Sequence, residues 1–276
     1  MKFDYQLIYD LGLHRGEDTE YYLKRGFRVI AVEADEELVA QNLKAFQKYV
    51  ESGQLVVIHG AISDIPDDTV IFYKNPQVSV WGTVVKSWAE RNAKLGADSV
   101  EITVNVVSLK SLFKKYGVPY YLKIDIEGMD LVALKTLSQY PIKPKYVSIE
   151  SEKAYWDQLI EEFNVLEELG YDAFNLVEQT GVPKQKIPAD SIEGRIINHQ
   201  FKRGSSGMFG SDLTSQWLSK EEALEKYKEI FKLYRIFGDN SVFTKIYLFR
   251  AVKAILQRII QKPLPGWYDT HARLKD

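Results

Sequence analysis

Two acidic residues near the middle of the chain are the first candidates for chemistry. The run Leu122-Lys-Ile-Asp125-Ile-Glu127-Gly128 begins apolar and then delivers two carboxylates separated by one residue. A carboxylate at the end of a buried strand can accept a proton from a bound hydroxyl, and a positioned base adds roughly 10² to 10⁴ to a reaction rate. We therefore take Asp125 and Glu127 as catalytic candidates, with His14 and His199 as alternative bases.

Other interpretations of this run stay open. A purely structural role would make Lys123 a surface side chain and place Glu127 beside the N-cap of a following helix. A divalent metal is another way to activate a hydroxyl, with oxygen ligands such as Asp125, Glu150 and Glu152. The four histidines show no metal-ligand spacing, and we expect no metal site.

A second candidate site begins close to the first residue. Residues 7 to 35 predict a strand, a turn with Gly12 and Gly16, a helix and a second strand that ends at Glu33. In such βαβ units the glycines allow close backbone approach to a ligand, and an acid about 20 residues on accepts hydrogen bonds from ribose hydroxyls. Glu33 stands where that acid belongs, so the pattern indicates a nucleotide-type cofactor.

The charges of the turn favour a cationic cofactor over a dinucleotide. The full Gly-x-Gly-x-x-Gly pattern is missing, and the helix opens with Glu17 and Asp18, which would repel a pyrophosphate. S-adenosylmethionine instead carries a sulfonium and an ammonium group, which suit Asp10 at the strand end. We therefore predict this cofactor, with contacts from Asp10, Gly12, His14, Gly16, Thr19, Glu33, Ala34, Ala61, Ile62, Ser63 and Asp125.

Composition bounds the class of protein. The 276 residues are 45% hydrophobic, enough for a sizeable core, and carry a formal charge of −2 with no cysteine. The missing cysteines exclude disulfides, iron–sulfur clusters and cysteine nucleophiles. The small net charge disfavours a nucleic-acid partner. No secretory signal and no long uncharged apolar stretch is visible, so we expect a cytoplasmic protein.

Strands that alternate with helices predict an α/β fold with a doubly wound, mostly parallel sheet. The predicted core strands after the first cover residues 28–32, 55–58, 120–126, 145–149 and 171–177. About 60 residues separate the strand at 55–58 from the strand at 120–126, too many for a plain crossover, which predicts an insertion near residues 70–107. The fourth strand adjoins the first across the reversal of strand order, so Asp125 and Glu127 should face the same crevice as Asp10 and Gly12.

The C-terminal third, residues 178–276, is expected to complete the same domain as residues 1–177 and to form the substrate region. Residues 195–201 are predicted as a last strand, followed by the glycine- and serine-rich loop from Phe201 to Gly210. Helices follow at 220–237 and 241–262. The second is basic on one face, which core packing explains; contact with an anionic membrane surface or a lipid-linked glycan is the alternative.

Together these motifs resemble the FkbM-type family of S-adenosylmethionine-dependent methyltransferases. The resemblance is carried by Asp10-Leu-Gly12, Gly16, Val32-Glu33-Ala-Asp35, Gly60-Ala-Ile-Ser63 and Leu122-Lys-Ile-Asp125-Ile-Glu127-Gly128-Met-Asp130. It spans much of residues 7 to 177 and implies a class I (Rossmann-like) methyltransferase fold with O-methylation of a hydroxyl. His14 and Arg15 replace residues that are more often small in the family, and Asp130 replaces its usual glutamate.

The sequence therefore predicts an S-adenosylmethionine-dependent O-methyltransferase that acts by in-line transfer on a hydroxyl of a sugar, other glycan or secondary metabolite. A nicotinamide-dependent oxidoreductase is the alternative enzyme, which the missing glycine and the first-turn acids disfavour. A non-catalytic binding scaffold with the same fold is the other alternative. A fold-level resemblance predicts neither the acceptor nor the oligomeric state.

Overall fold

The computed structural model describes residues 3–63, 65, 67–152, 155–238, 253, 255, 257, 258 and 266–275. Most of the basic helix predicted at 241–262 lies outside these residues. Within the described part of the chain, no helix is long and apolar enough to cross a membrane.

The strands and helices alternate along much of the chain. The strands are β1 (Asp4–Leu11), β2 (Arg28–Glu33), β3 (Leu55–His59), β4 (Ala61–Ile62), β5 (Thr69–Lys74), β6 (Val100–Val107), β7 (Pro119–Ile124), β8 (Tyr146–Glu150), β9 (Tyr171–Glu178) and β10 (Tyr268–Leu274). The helices are α1 (Glu17–Lys24), α2 (Glu36–Ala45), α3 (Gln47–Glu51), α4 (Lys86–Lys94), α5 (Leu109–Tyr116), α6 (Asp130–Thr136), α7 (Trp156–Glu168) and α8 (Lys220–Phe237). Helices α2 and α3 are separate, because Phe46 between them leaves the helical conformation at φ −106°.

Seven strands form the main sheet, in the order β3-β2-β1-β7-β8-β10-β9. Every neighbouring pair is parallel except the two pairs made by β10, which is antiparallel to both β8 and β9. The order reverses between β1 and β7. This confirms the predicted doubly wound, mostly parallel sheet and places the fourth core strand beside the first.

The prediction of a last strand at residues 195–201 is wrong. Those residues form no strand, and Ile196 within them is 67% exposed. The last strand is β10, which includes Asp269, Thr270 and His271, each buried. A strand this polar gives no apolar signal in the sequence, because its side chains are buried among polar neighbours.

A smaller sheet carries the chain from β3 to β7. Its strand order is β4-β6-β5, with β5 and β6 antiparallel and β4 parallel to β6. Helix α4 lies between β5 and β6 in the chain, and Tyr73 pairs with Thr83 just ahead of it. This sheet occupies the stretch where the sequence predicts an insertion.

The two faces of the main sheet are covered differently. Helices α5 to α8 contribute to the core on one face. On the other face, α1, Phe46 and α3 share a core with the irregular segment of residues 179–219. Phe209 of this segment stacks on Tyr121 of β7, with ring centroids 4.5 Å apart, and Asp212 forms a buried ion pair with Arg25 at 2.9 Å. The segment therefore takes the place of a helix in this layer.

Candidate active site

The carboxyl ends of β1 and β7 meet where the strand order reverses. The carbonyl of Leu11 accepts a hydrogen bond from the amide of Asp125 at 3.0 Å. Gly12 follows with φ +90°, and a β-carbon on it would lie 1.8 Å from the carbonyl oxygen of Asp125. Glycine is therefore required for the approach of two strand ends to each other, in addition to the approach of a ligand that the sequence suggests.

Gly16 is also required by packing within the protein. It precedes α1 with φ +77°, and a β-carbon there would lie 2.4 Å from the ring of Phe46 and 2.5 Å from the side-chain oxygen of Asn42. Asn42 donates a hydrogen bond to the carbonyl of His14 at 2.7 Å. Because α2 and the residue after it fix this path, the shape of the glycine turn is set before any ligand binds.

Glu33 holds the same turn from the end of β2. Its carboxylate accepts hydrogen bonds from the backbone amides of His14 at 2.7 Å and Asp35 at 2.9 Å. Burial raises the pKa of Glu33 although these two bonds oppose the change. A carboxylate has about four acceptor positions, so Glu33 retains capacity to accept hydrogen bonds from hydroxyl groups.

A buried lysine lies beneath the crevice. Lys123 Nζ lies 3.2 Å from Asp10 Oδ1, 3.4 Å from Asp125 Oδ2 and 3.6 Å from Asp18 Oδ2. Its side chain is 4% exposed, so the alternative of a surface lysine is wrong. Burial lowers the lysine pKa, but the carboxylates of Asp10, Asp125 and Asp18 outweigh it and hold that pKa well above the usual value. Lys123 is therefore a cation at neutral pH and cannot serve as a base.

Asp10 and Thr19 belong to the support of this lysine. Thr19 donates a hydrogen bond to Asp10 at 2.7 Å, and the two residues are 0% and 1% exposed. Asp10 also accepts from Lys123 at 3.2 Å, directly across from it on the neighbouring strand. Asp10 and Thr19 are thus buried and bonded within the protein, and the direct cofactor contacts predicted for them stay a prediction.

Four further residues that the sequence predicts as cofactor contacts follow β2 and β3. They are Ala34, Ala61, Ile62 and Ser63, of which the first three are buried and Ser63 is half-buried. The amide of Gly60 donates to the carbonyl of Glu33 at 2.9 Å, which ties the two segments together at one end of the sheet. Their contact with a cofactor stays a prediction.

The turn after β7 presents the carboxylate of Asp125 at the surface of the crevice. The side chain of Asp125 is 40% exposed, whereas that of its partner Lys123 is 4% exposed. Glu127 adopts φ +47°, in the left-handed region, and its carbonyl accepts a hydrogen bond from Thr83 Oγ1 at 2.7 Å. The strained residue is thus held by the insertion, which fixes the direction in which the turn leaves Asp125.

Asp130 braces the same turn from below. Its carboxylate accepts hydrogen bonds from the backbone amides of Ile126 at 3.3 Å and Gly128 at 3.2 Å. Burial, followed by the charges of Asp125 and Glu150, raises the pKa of Asp130 to about 7. Although an aspartate side chain is shorter than the glutamate that the family resemblance leads one to expect here, Asp130 still reaches the backbone of the turn.

Three acids gather at the mouth of the crevice. Carboxylate oxygens of Asp125, Glu127 and Glu150 lie within 4.8 Å of one another. The metal site considered from the sequence used Glu152 where the structure brings Glu127 to the cluster. The backbone amide of Glu152 donates a hydrogen bond to the carboxylate of Glu162 at 3.2 Å. Oxygen ligands suit a hard divalent cation, but exposed acids commonly cluster without one, so the cluster alone identifies no metal site.

The insertion covers both halves of the crevice. Ser79 lies 2.9 Å from the imidazole Nε2 of His14, in the glycine turn. Val85 and Trp88 pack over Gly128, where an added β-carbon would lie 3.1 and 3.2 Å from them. Residues 79–88 therefore form a roof that spans from the glycine turn to the turn after β7.

His199 does not belong to the site. Its ring packs against Tyr21, with centroids 5.3 Å apart, and against Phe201 at 5.0 Å. Burial, with the charge of Lys24, lowers its pKa. Lys24 ends α1, and the glycine turn lies at the opposite end of that helix, so the alternative of His199 as base is wrong.

Sequence reasoning missed three polar residues that complete the buried cluster. Ser206 donates its amide to both oxygens of Asp18, at 2.9 and 3.1 Å. Asp269 of β10 is buried, and burial, followed by the charges of Asp125 and Glu150, raises its pKa well above the usual value. The signal for Lys123 was present, because a lysine inside an otherwise apolar strand needs an anionic partner. Ser206 and Asp269 carry no such local signal.

The sheet order, the glycine turn and the acid after β2 are those of a class I S-adenosylmethionine-dependent methyltransferase. The sequence matches the Methyltransferase FkbM domain over residues 10–173, and the chain belongs to that family. Its cofactor is S-adenosylmethionine, as the family and the fold predict.

Solved methyltransferase structures are similar to this chain at low identity. A geranyl diphosphate C-methyltransferase from Streptomyces coelicolor A3(2), in complex with Mg²⁺, geranyl diphosphate and S-adenosyl-L-homocysteine, is 9% identical, with 99% of this chain and 76% of that chain covered and a TM-score of 0.38. A SAM-dependent methyltransferase from Archaeoglobus fulgidus is 11% identical, with 97% and 86% covered and a TM-score of 0.35. Similarity at this level gives no information about the substrate of this chain. A comparison with curated proteins found no significant match.

Proposed function

We propose that the methyl acceptor is a hydroxyl of a sugar or a secondary metabolite, which makes the protein an O-methyltransferase. The observation that carries this proposal is the accessible carboxylate of Asp125, held 3.4 Å from Lys123 at the switch point of the sheet. Ligands of doubly wound sheets bind in this crevice. An acceptor hydroxyl bound there would lie beside a base whose position is fixed.

The residues around the glycine turn fit the cofactor. Glu33 has acceptor positions left for ribose hydroxyls, and the turn that it holds is preorganised by Asn42. Asp10, Asp18 and Asp125 surround the single ammonium of Lys123. More acids than bases under the crevice favour a cationic ligand over a pyrophosphate. Gly12, His14, Gly16 and Glu33, with residues 61–63, would hold the cofactor, and Asp10 and Thr19 would support Lys123.

S-adenosylmethionine supplies an electrophilic methyl group when bound. Asp125 accepts the proton of the acceptor hydroxyl while the new oxygen–carbon bond forms and the carbon–sulfur bond breaks. Glu127, within 4.8 Å of Asp125, is the second candidate for that proton. Alignment contributes more than the base, because effective molarities reach about 10⁵ to 10⁸ M for well-oriented reactants. The roof of residues 79–88 excludes water, and with residues 178–276 it selects the acceptor.

A labelled-methyl transfer screen over glycans and small hydroxylated metabolites tests the reaction. Once an acceptor is found, we expect Asp125→Asn to lower kcat by about 10² to 10³ while the Kd for S-adenosylmethionine changes by less than about threefold. Asp172→Asn, which changes an exposed aspartate on β9, is the matched control. Equal kcat for wild type and Asp125→Asn would remove Asp125 from the mechanism.

The same material separates the alternatives. Calorimetry with S-adenosylmethionine and with NAD distinguishes the methyltransferase from the oxidoreductase. Binding of S-adenosylmethionine with no transfer to any acceptor would favour a scaffold. We expect transfer to persist in a strong chelator, and activity that returns only with added Mg²⁺ would instead assign the acids at the mouth to a metal.

A further inference from the structure

The cluster beneath the crevice contains more carboxylates than its cation can neutralise. Asp10, Asp18 and Lys123 are all less than 5% exposed, and Asp125 adds a third carboxylate above them. One ammonium therefore faces three acids. Buried charges need a partner of opposite sign, and a carboxylate without one takes up a proton.

Asp18 is the least compensated of these acids. Asp10 accepts from both Lys123 at 3.2 Å and the Thr19 hydroxyl at 2.7 Å, whereas Asp18 lies 3.6 Å from Lys123. Its hydrogen bonds come from one backbone amide, that of Ser206. Burial raises the pKa of Asp18 to about 7, Lys123 opposes the rise, and the charges of Asp10 and Asp125 add to it.

The elements packed around Asp18 are strands β1, β7 and β10, its own helix α1 and the segment that carries Ser206. Strand β1 contributes Asp10, and β7 contributes Lys123 and the neutral phenol of Tyr121. Helix α1 itself contributes Tyr22, whose pKa burial raises well above its usual value. Strand β10 contributes Asp269, which accepts a side-chain hydrogen bond from Ser206 and whose pKa burial raises well above the usual value. Lys123 is thus the only cation that these elements direct at Asp18.

We propose that Asp18 carries a proton in the free protein and releases it when a cation enters the crevice, so that the site favours the sulfonium cofactor over the neutral thioether product. The cofactor and S-adenosylhomocysteine differ by one methyl group and one positive charge. Only S-adenosylmethionine, with its additional positive charge, restores the charge balance of the cluster. Asp18 is therefore a specificity-determining residue that never needs to touch the ligand. This inference rests on the proposed placement of the cofactor over the glycine turn.

The size of the effect follows from proton linkage. If the cation lowers the pKa of Asp18 by about one unit from about 7, binding at pH 7 releases about 0.4 proton. The affinity for S-adenosylmethionine, relative to S-adenosylhomocysteine, then rises roughly fivefold from pH 6 to pH 8. The product lacks the sulfonium and leaves the pKa of Asp18 unchanged, so the pH dependence that Asp18 causes belongs to the binding of the cofactor alone.

Isothermal titration calorimetry of the full chain tests the inference. Each ligand is titrated at pH 7 in phosphate and in Tris, whose different heats of ionisation report the protons exchanged. The variants are Asp18→Asn, which imitates the protonated acid, Asp269→Asn and the exposed control Asp172→Asn. The amino group of the ligand titrates near this pH as well, but it does so in every variant, so the difference from Asp18→Asn isolates the protein's proton.

We expect wild type and Asp172→Asn to release about 0.4 proton more with S-adenosylmethionine than Asp18→Asn does. A proton count lost in Asp269→Asn and kept in Asp18→Asn would overturn the assignment to Asp18. If Asp18→Asn does not fold, equal proton counts and equal pH dependence for the two ligands on wild type would refute the inference. No binding of either ligand to wild type would refute the proposed function as well.

Discussion

The buried brace of the turn after β7 should make stability depend on pH in a direction unusual for an aspartate. Asp130 is 9% exposed, and burial raises its pKa to about 7 from an ordinary value near 3.8. The folded protein therefore binds the Asp130 proton more tightly than the unfolded chain does. This stabilisation is complete below the unfolded pKa and is lost as pH rises through about 7.

The magnitude follows from the two pKa values. Between pH 5 and pH 8, Asp130 alone should lower the free energy of unfolding of wild type by roughly 2.5 kcal/mol. Asp130→Asn cannot ionise and lacks this loss. Removing one acceptor from the amides of Ile126 and Gly128 costs about 1 kcal/mol, but that cost is the same at every pH. The variant should therefore gain about 5 °C in Tm relative to wild type from pH 5 to pH 8.

Thermal unfolding of wild type, Asp130→Asn and the exposed control Asp172→Asn at pH 5, 6, 7 and 8 measures this change. The comparison with wild type matters, because other buried acids such as Glu162 and Asp269 also have raised pKa values. They contribute equally to all three proteins. A Tm difference between Asp130→Asn and wild type that stays constant across this range would refute the reasoning.

Two further pairs of substitutions test the packing. Gly12→Ala should lower the free energy of unfolding by at least about 3 kcal/mol, because its β-carbon would collide with the carbonyl of Asp125. Gly53→Ala, also at positive φ but with open space around it, should lower it by about 1 kcal/mol. Similar losses for the two variants would contradict this. Asp212→Asn leaves Arg25 buried without its partner and should cost about 3 to 5 kcal/mol, against less than about 1 kcal/mol for Glu167→Gln in a surface ion pair. Urea unfolding measures both, and equal losses would refute the second.

The parts of the site that lie within a few residues of a strand end could be predicted from sequence. Gly12, Glu33 and Asp125 each follow an apolar run directly, so the alternation of strands and helices places them at one edge of the sheet. The order of those strands follows from the same alternation. A strand end predicts the position of a residue and not its burial, so the sequence does not show that Asp10 is buried against Lys123.

The remainder depends on contacts between distant parts of the chain. Ser206 meets Asp18 across 188 positions, and Phe209 reaches Tyr121 from a segment without regular structure. The sequence of β10 is polar, so its hydrophobic pattern does not predict a strand there. Hydrophobic periodicity shows which side of a helix or strand faces solvent. It does not reveal a buried face where polar side chains pack against one another.

The position of β10 bears on how the protein is made. This strand lies between β8 and β9, although β9 ends at Glu178 and β10 begins at Tyr268. While the ribosome is still synthesising the intervening residues, the growing sheet has a gap with unpaired edges on both sides. The pairing of β10 with β8 joins distant parts of the chain, and such non-local contacts form slowly. Asp269 lies on β10, so this acid joins the buried cluster of the crevice only when β10 pairs with its neighbours.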